Sequence, residues 1–123
     1  MSDVFEDQRK FMRACGQTVD RFDDAQFHLY CDLIAEEHKE LQAALQANND
    51  VEALDALIDI IVVTVGAIHS LGADGKGAWK EVMRSNFAKV DAKTGKVRRR
   101  EDGKILKPDD WQPPKLDGFF LPK

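Results

Sequence analysis

An aspartate stands inside one of the most apolar stretches of the chain, Ala56-Leu57-Ile58-Asp59-Ile60-Ile61-Val62-Val63. Burying an unpaired carboxylate there costs several kcal/mol or more. A cationic side chain, protonation or a metal ion can offset that cost. No Lys or Arg lies between Lys39 and Lys76, so a helical neighbour cannot supply the cation. Upstream, Glu36-Glu37-His38-Lys39-Glu40 offers three more carboxylates. Any fold of this chain has to answer the charge of Asp59, and a divalent metal shared with Glu36, Glu37 and Glu40 would do so.

The 123 residues fit one domain, read as 1–123 with a helical core over about 3–90 and a basic tail over 91–123. With 43% hydrophobic and 33% charged residues, the chain can bury a core and stay soluble. The net charge of -4 gives no global attraction to a nucleic acid polymer or an anionic membrane. Locally the charge divides. Glu36 to Asp59 holds seven acids against one Lys, and Asp91 to Lys107 holds seven bases against three acids. An acidic cluster with a basic tail suits a metal-bound polyphosphate. Cys15 and Cys31 form no Cys-x-x-Cys motif and read as free thiols. The acidic N-terminus is no signal peptide, and the run Ala56 to Ile68 is too short to span a bilayer. The expected location is the cytoplasm.

Hydrophobic spacing predicts four helices and hence an all-α, antiparallel four-helix bundle with an irregular C-terminal tail. The first covers 3–14, supported by Asp3 and stopped by Gly16. The second runs from Asp23 or Asp24 to about Ala47, with Tyr30, Leu33, Ile34, Leu41, Ala44 and Leu45 inward. Glu37 falls on that same stripe, with Glu36 and Glu40 on an adjoining strip. Asn48-Asn49-Asp50 breaks the pattern, and Asp50 can cap the next helix. The third helix covers about 51–71 and is the central element. Leu54, Leu57, Ile58, Ile61, Val62, Val65 and Ile68 leave its second half almost no polar face. Its β-branched run competes as a strand, but the length from Val51 to Leu71 favours helix. The fourth covers about 77–90, with Trp79, Val82, Met83 and Phe87 inward. Beyond Asp91, Thr94-Gly95-Lys96 and Asp102-Gly103-Lys104 are turn signals around a small hairpin. Trp111, Phe119 and Phe120 imply that the tail packs on something.

Helical spacing of three or four puts two acids on one face, and two antiparallel helices can then supply four or five oxygen ligands to octahedral magnesium. Most Glu-Glu-x-x-Glu strings are solvated helix surface. Glu37 in an apolar stripe and Asp59 in an apolar run set this one apart. A di-iron carboxylate bundle needs Glu-x-x-His on two helices, and His28, His38 and His69 have no Glu three residues upstream.

The chain resembles the all-α nucleoside triphosphate pyrophosphohydrolases, the group containing MazG, the dimeric dUTPases and phosphoribosyl-ATP pyrophosphohydrolase. Glu36-Glu37-x-x-Glu40 matches the first half of the family pattern, and Asp59 before Ile-Ile-Val-Val matches the second. The likeness continues through Val65-Gly66-Ala67, Leu71-Gly72, Glu81-Val82-x-x-Ser85-Asn86-x-x-Lys89 and Arg100-Glu101-Asp102-Gly103-Lys104-Ile105-Leu106-Lys107-Pro108. The family's Glu-x-x-Asp would need Glu at position 56, where this chain has Ala56. Either Asp55 replaces it beside Asp59, the preferred reading, or Glu52 and Asp55 form the pair with Asp59 behind them.

The resemblance implies a MazG-like fold and a hydrolase acting on phosphoanhydrides. The reaction would be Mg2+-dependent, with Mn2+ able to substitute, and would cleave a nucleoside triphosphate between the α and β phosphates. The products are a monophosphate and pyrophosphate, and the substrate class is non-standard or surplus deoxynucleoside triphosphates. It implies metal ligands at Glu36, Glu37, Glu40, Asp55 and Asp59, with Glu37 also the catalytic base. Asn86 and Lys89 resemble the family's phosphate-binding pair, with Lys104 and Lys107 covering the phosphates from the tail. Gln17, Phe27, Tyr30 and Trp111 are candidates for base contact, though core or surface roles suit each better. A homodimer or homotetramer is implied. The alternatives are a phosphoribosyl-nucleotide substrate, or a non-catalytic helical module that binds a nucleotide or a protein.

Overall fold

The computed structural model describes residues 2–122. The fold is all-α. Four helices form: α1 (Val4–Ala14), α2 (Asp24–Gln46), α3 (Asp50–Ser70) and α4 (Gly75–Phe87). A two-stranded antiparallel hairpin follows, β1 (Arg98–Arg99) and β2 (Ile105–Leu106), and then a 3-10 turn at Asp117–Phe119. The β-branched run of α3 is helical. No helix of the described residues is long and apolar enough to cross a membrane.

Short polar side chains start the first three helices. Asp3, Asp23 and Asn49 accept from the backbone N–H groups of Glu6, Gln26 and Glu52 at 2.8, 3.1 and 3.1 Å. Each such cap is worth about 1 kcal/mol. The α3 cap is therefore Asn49, one residue before the expected Asp50, which instead begins the helix beside its positive end. Asn48 takes a left-handed conformation, φ 52°, which asparagine tolerates better than most residues. It turns the chain back directly after α2.

The chain divides into two compact units. One runs up to Gly75 and takes in the residues from Phe120 onward; the other is Lys76–Phe119.

In the first unit α2 lies antiparallel along α3. Gln26 Nε2 donates to Ser70 Oγ at 2.9 Å, the Tyr30 ring lies on Gly66, and Glu40 shares a cavity with Ala56. A β-carbon at position 66 would run into the Tyr30 ring, so glycine is what lets the two helices approach there. Met12, Tyr30, Val63 and Ala67 form the core, with Val19, Phe27, Leu33 and Ile34 packed against it. His69 is 1% exposed and its Nε2 lies 2.8 Å from the Phe5 carbonyl, joining α3 to α1. Burial lowers its pKa, so it sits there as a neutral imidazole donating from Nε2. Near the C-terminus, the Leu121 N–H donates to the Gly72 carbonyl at 2.8 Å.

The apolar face of α3 departs from expectation. Val65 is buried, but Leu54, Leu57, Ile58, Ile61 and Val62 are exposed. Among the described residues α1 and α2 pack on α3, and its buried residues concentrate in the second half, from Val63 to Ser70.

The second unit holds α4 from Lys76 on; the helix spans Gly75–Phe87, shifted from the expected 77–90. Both turn signals fold. Asp91 N–H donates to the Lys96 carbonyl at 2.9 Å, and Arg100 N–H to the Lys104 carbonyl at 2.8 Å. Gly103, at φ 91°, supplies the left-handed residue of the second turn. The tail packs on α4 through Glu81 and Ser85, one turn apart: Lys115 N–H donates to Glu81 Oε2 at 2.7 Å, and Trp111 Nε1 to the Ser85 carbonyl at 2.6 Å. Because that stripe carries the tail, Trp79 and Phe87 do not point inward as expected. They lie on another face and are 59% and 68% exposed.

Candidate active site

The α2–α3 seam sets carboxylates against one another. Glu37 is half-buried, and its Oε2 is enclosed with no hydrogen-bond partner. Its carboxyl is pushed up to about 7, first by desolvation, then by a hydrogen bond shared with Glu40 and by the charges of Glu40, Asp59 and Asp55. The helices cause this directly. Glu37 lies on the α2 stripe that packs on α3, while Asp55 and Asp59 are one turn apart on α3. Asp59 is half-buried, and Glu40 and Asp55 are exposed. Glu36 is exposed on α2 and is not among the charges acting on Glu37.

Beside this group is an open cavity of about 490 Å³, lined by Glu40, Glu52, Asp55 and Ala56 among others. Ala56 is buried and is one of the residues lining this cavity. Asp55 acts on Glu37 and also reaches the cavity, whereas Glu52 reaches only the cavity.

Among the described residues no three His, Cys, Asp or Glu side chains already converge as a metal cage. The chemistry of the seam nevertheless fits a hard divalent cation. Its donors are all carboxylate oxygens, one of them is buried without a partner, and among the described residues no Lys or Arg forms an ion pair with them. Oxygen-only donors suit magnesium or manganese.

Of the expected phosphate contacts, the second unit gathers three. Lys89 Nζ donates to Asn86 Oδ1 at 3.0 Å. Lys89 and Lys107 both lie over the Trp111 ring, at 5.3 and 4.6 Å from its centroid. Lys104 stands apart, exposed in the hairpin turn, where its backbone N–H is held by Asp102.

The candidates for base contact are otherwise engaged. Tyr30 is buried and its hydroxyl donates to Gln17 Oε1, while Phe27 packs on the core. Trp111 is an anchor between α4 and the tail. No periodicity announces that contact, because its acceptor is a backbone carbonyl 26 residues earlier. Glu81 stands in a string that carries the family resemblance, but its hold on the tail is not readable there. Arg84 and the Lys115 N–H hold its carboxyl down at about 2.

The family described as phosphoribosyl-ATP pyrophosphohydrolase matches residues 8–86. That span takes in α2 and α3 whole and all the seam acids. No curated protein matches the chain.

Proposed function

The chain belongs to the phosphoribosyl-ATP pyrophosphohydrolase family, and from that membership we propose that it hydrolyses a nucleoside triphosphate between the α and β phosphates with a divalent ion bound at the α2–α3 seam. It is a hydrolase acting on phosphoanhydrides, a nucleotide pyrophosphohydrolase. The observation that carries the finer reading is the orphaned Oε2 of Glu37 among Glu40, Asp55 and Asp59.

Glu36, Glu37, Glu40, Asp55 and Asp59 are the side chains that would hold magnesium. When bound, the ion supplies the positive charge that these acids and the substrate phosphates both need. Glu37 takes the proton of the attacking water. The water oxygen bonds to phosphorus, the bridging P–O bond breaks, and pyrophosphate leaves. In the metal-free chain desolvation and then its acidic neighbours push the Glu37 carboxyl up to about 7. In the second unit, Asn86, Lys89, Lys104 and Lys107 are proposed to contact phosphate.

The substrate class we favour is non-standard or surplus deoxynucleoside triphosphates. The family's own description favours a second reading, a phosphoribosyl-nucleotide cleaved at the same bond. We also propose that the chain works as a homodimer or homotetramer. Phe11, Ile58, Ile61 and Val62 are exposed and line a largely apolar cavity of about 380 Å³ that a second copy could cover. Sedimentation velocity tests this, and a monomer at micromolar concentration would refute it. The exposed, unpaired Cys15 and Cys31 fit a reducing, cytoplasmic setting.

A panel of nucleoside triphosphates and phosphoribosyl-nucleotides, incubated with and without magnesium, tests the reaction. Monophosphate plus pyrophosphate, formed only with the ion, is the expected result. Diphosphate plus orthophosphate would mean that a different bond is cut. No product with any of them would leave a binding module.

A further inference from the structure

The second unit holds two cations in an arrangement that packing alone does not explain. In α4 the Ser85 carbonyl lies in the last turn, where helix carbonyls lose their own partners. The Lys89 N–H, which would be its usual donor, goes instead to the Asn86 carbonyl at 3.1 Å. Trp111 Nε1 takes its place at 2.6 Å. Ser85 itself is 2% exposed, with its hydroxyl turned onto the Val82 carbonyl at 2.6 Å, so the anchor point is rigid. The indole is thereby fixed to the end of α4.

Two ammonium groups then gather on that ring. Lys89 lies 5.3 Å from the centroid and is steadied by Asn86 Oδ1; Lys107 lies 4.6 Å from it. Both are within the range where the ring's quadrupole attracts a cation. Lys107 is also tied to the hairpin, since its carbonyl accepts from Arg98 Nη2 at 3.3 Å. Among the described residues neither ammonium forms an ion pair with a carboxylate, although Asp109 and Asp110 follow closely in sequence. With ammonium groups 5.3 and 4.6 Å from one ring centroid, two like charges stand near each other with no carboxylate between them to offset their repulsion, and a bound anion would lower it.

We propose that Trp111 is a positioning residue, which holds Lys89 and Lys107 together as a subsite for a phosphate chain. The proposal deepens the reading of this protein as a pyrophosphohydrolase and rests on it for the identity of the anion. It extends that reading beyond residue 86, where the family match ends.

Calorimetric titration of the full chain with inorganic tripolyphosphate, in low salt and without divalent ions, tests it independently of catalysis. Trp111→Leu and Lys107→Met are each expected to weaken binding about tenfold. Trp111→Phe keeps an aromatic face and should recover part of the loss. Wild-type binding by Trp111→Leu overturns the proposal. Should that variant lose its helical circular dichroism, Lys107→Met decides, and undiminished binding there overturns it equally. If no nucleotide is hydrolysed but the binding pattern holds, the subsite stands and the catalytic reading falls.

Discussion

Glu37 and Glu81 carry the same side chain and are driven in opposite directions. Glu81 accepts from Arg84 Nε at 2.7 Å, Arg84 Nη2 at 3.1 Å and the Lys115 N–H at 2.7 Å, and its carboxyl falls to about 2. Glu37 has a buried oxygen with no donor and acids for neighbours, and its carboxyl rises to about 7. Their surroundings follow the division of charge. The first unit's sequence holds 15 acids and 6 bases; the second holds 7 acids and 12 bases. The difference separates a carboxylate whose partners the chain supplies from one with an oxygen that no described residue pairs. Glu81 staples the tail to α4, and Glu37 stands among other acids.

The largest effect expected from breaking this contrast is on turnover. Glu37→Gln should lower kcat by about 10²–10⁴-fold, the usual contribution of a general base, with helical circular dichroism retained. Unchanged kcat would take Glu37 out of the mechanism. Chelation of divalent ions should abolish turnover in the wild type, and added magnesium or manganese should restore it. Full activity after exhaustive chelation would leave the seam without a metal role.

Titration followed by NMR sharpens the contrast. In metal-free protein the Glu37 carboxyl should titrate near 7, and its midpoint should fall when magnesium is added. Glu81 should stay near 2 in both conditions. Matching midpoints for the two residues would dissolve the comparison. The stability consequences have opposite signs. Glu37 is raised from 4.5, so its favourable contribution is complete below about 4.5 and is lost as pH rises through about 7. In metal-free protein at about pH 8, Glu37→Gln should therefore stabilise the fold by on the order of 1 kcal/mol, after allowance for solvent screening. Thermal melts at two pH values check the sign. Glu81 is lowered, so its contribution is present above 4.5 and lost as pH falls through about 2.

The smallest effect belongs to Glu81. Glu81→Gln should leave kcat within about twofold, since the residue touches no reacting atom. It should speed tryptic cleavage at Lys115, whose backbone it holds. A large loss of kcat would show that the staple also serves catalysis.

Much of the helical layout was legible from local chemistry. Asp3 and Asp23 mark helix starts, Asp102-Gly103 marks a hairpin turn, and the length of the apolar run separates α3 from a strand. The acids were legible as well, because Glu37 and Asp59 contradict the apolar pattern around them. Inward and outward faces were less so. Leu54, Leu57 and Ile61 have the spacing of core residues but remain exposed, since hydrophobicity states a preference for burial and does not supply the covering surface. Trp79 and Phe87 lost the inner face of α4 to Glu81 and Ser85, which hold the tail by hydrogen bonds to backbone and side-chain atoms.

The sequence by itself determined which segments are helical and that an acidic seam lacks a cation, because caps, periodicity and the gap in Lys and Arg act over a few residues. The tertiary structure decided which of those acids press on Glu37, that Glu81 is satisfied while an oxygen of Glu37 is not, and that Lys89 and Lys107 both lie by the Trp111 ring. Those outcomes depend on distances between side chains remote in sequence, and electrostatic energy follows distance and desolvation rather than order along the chain.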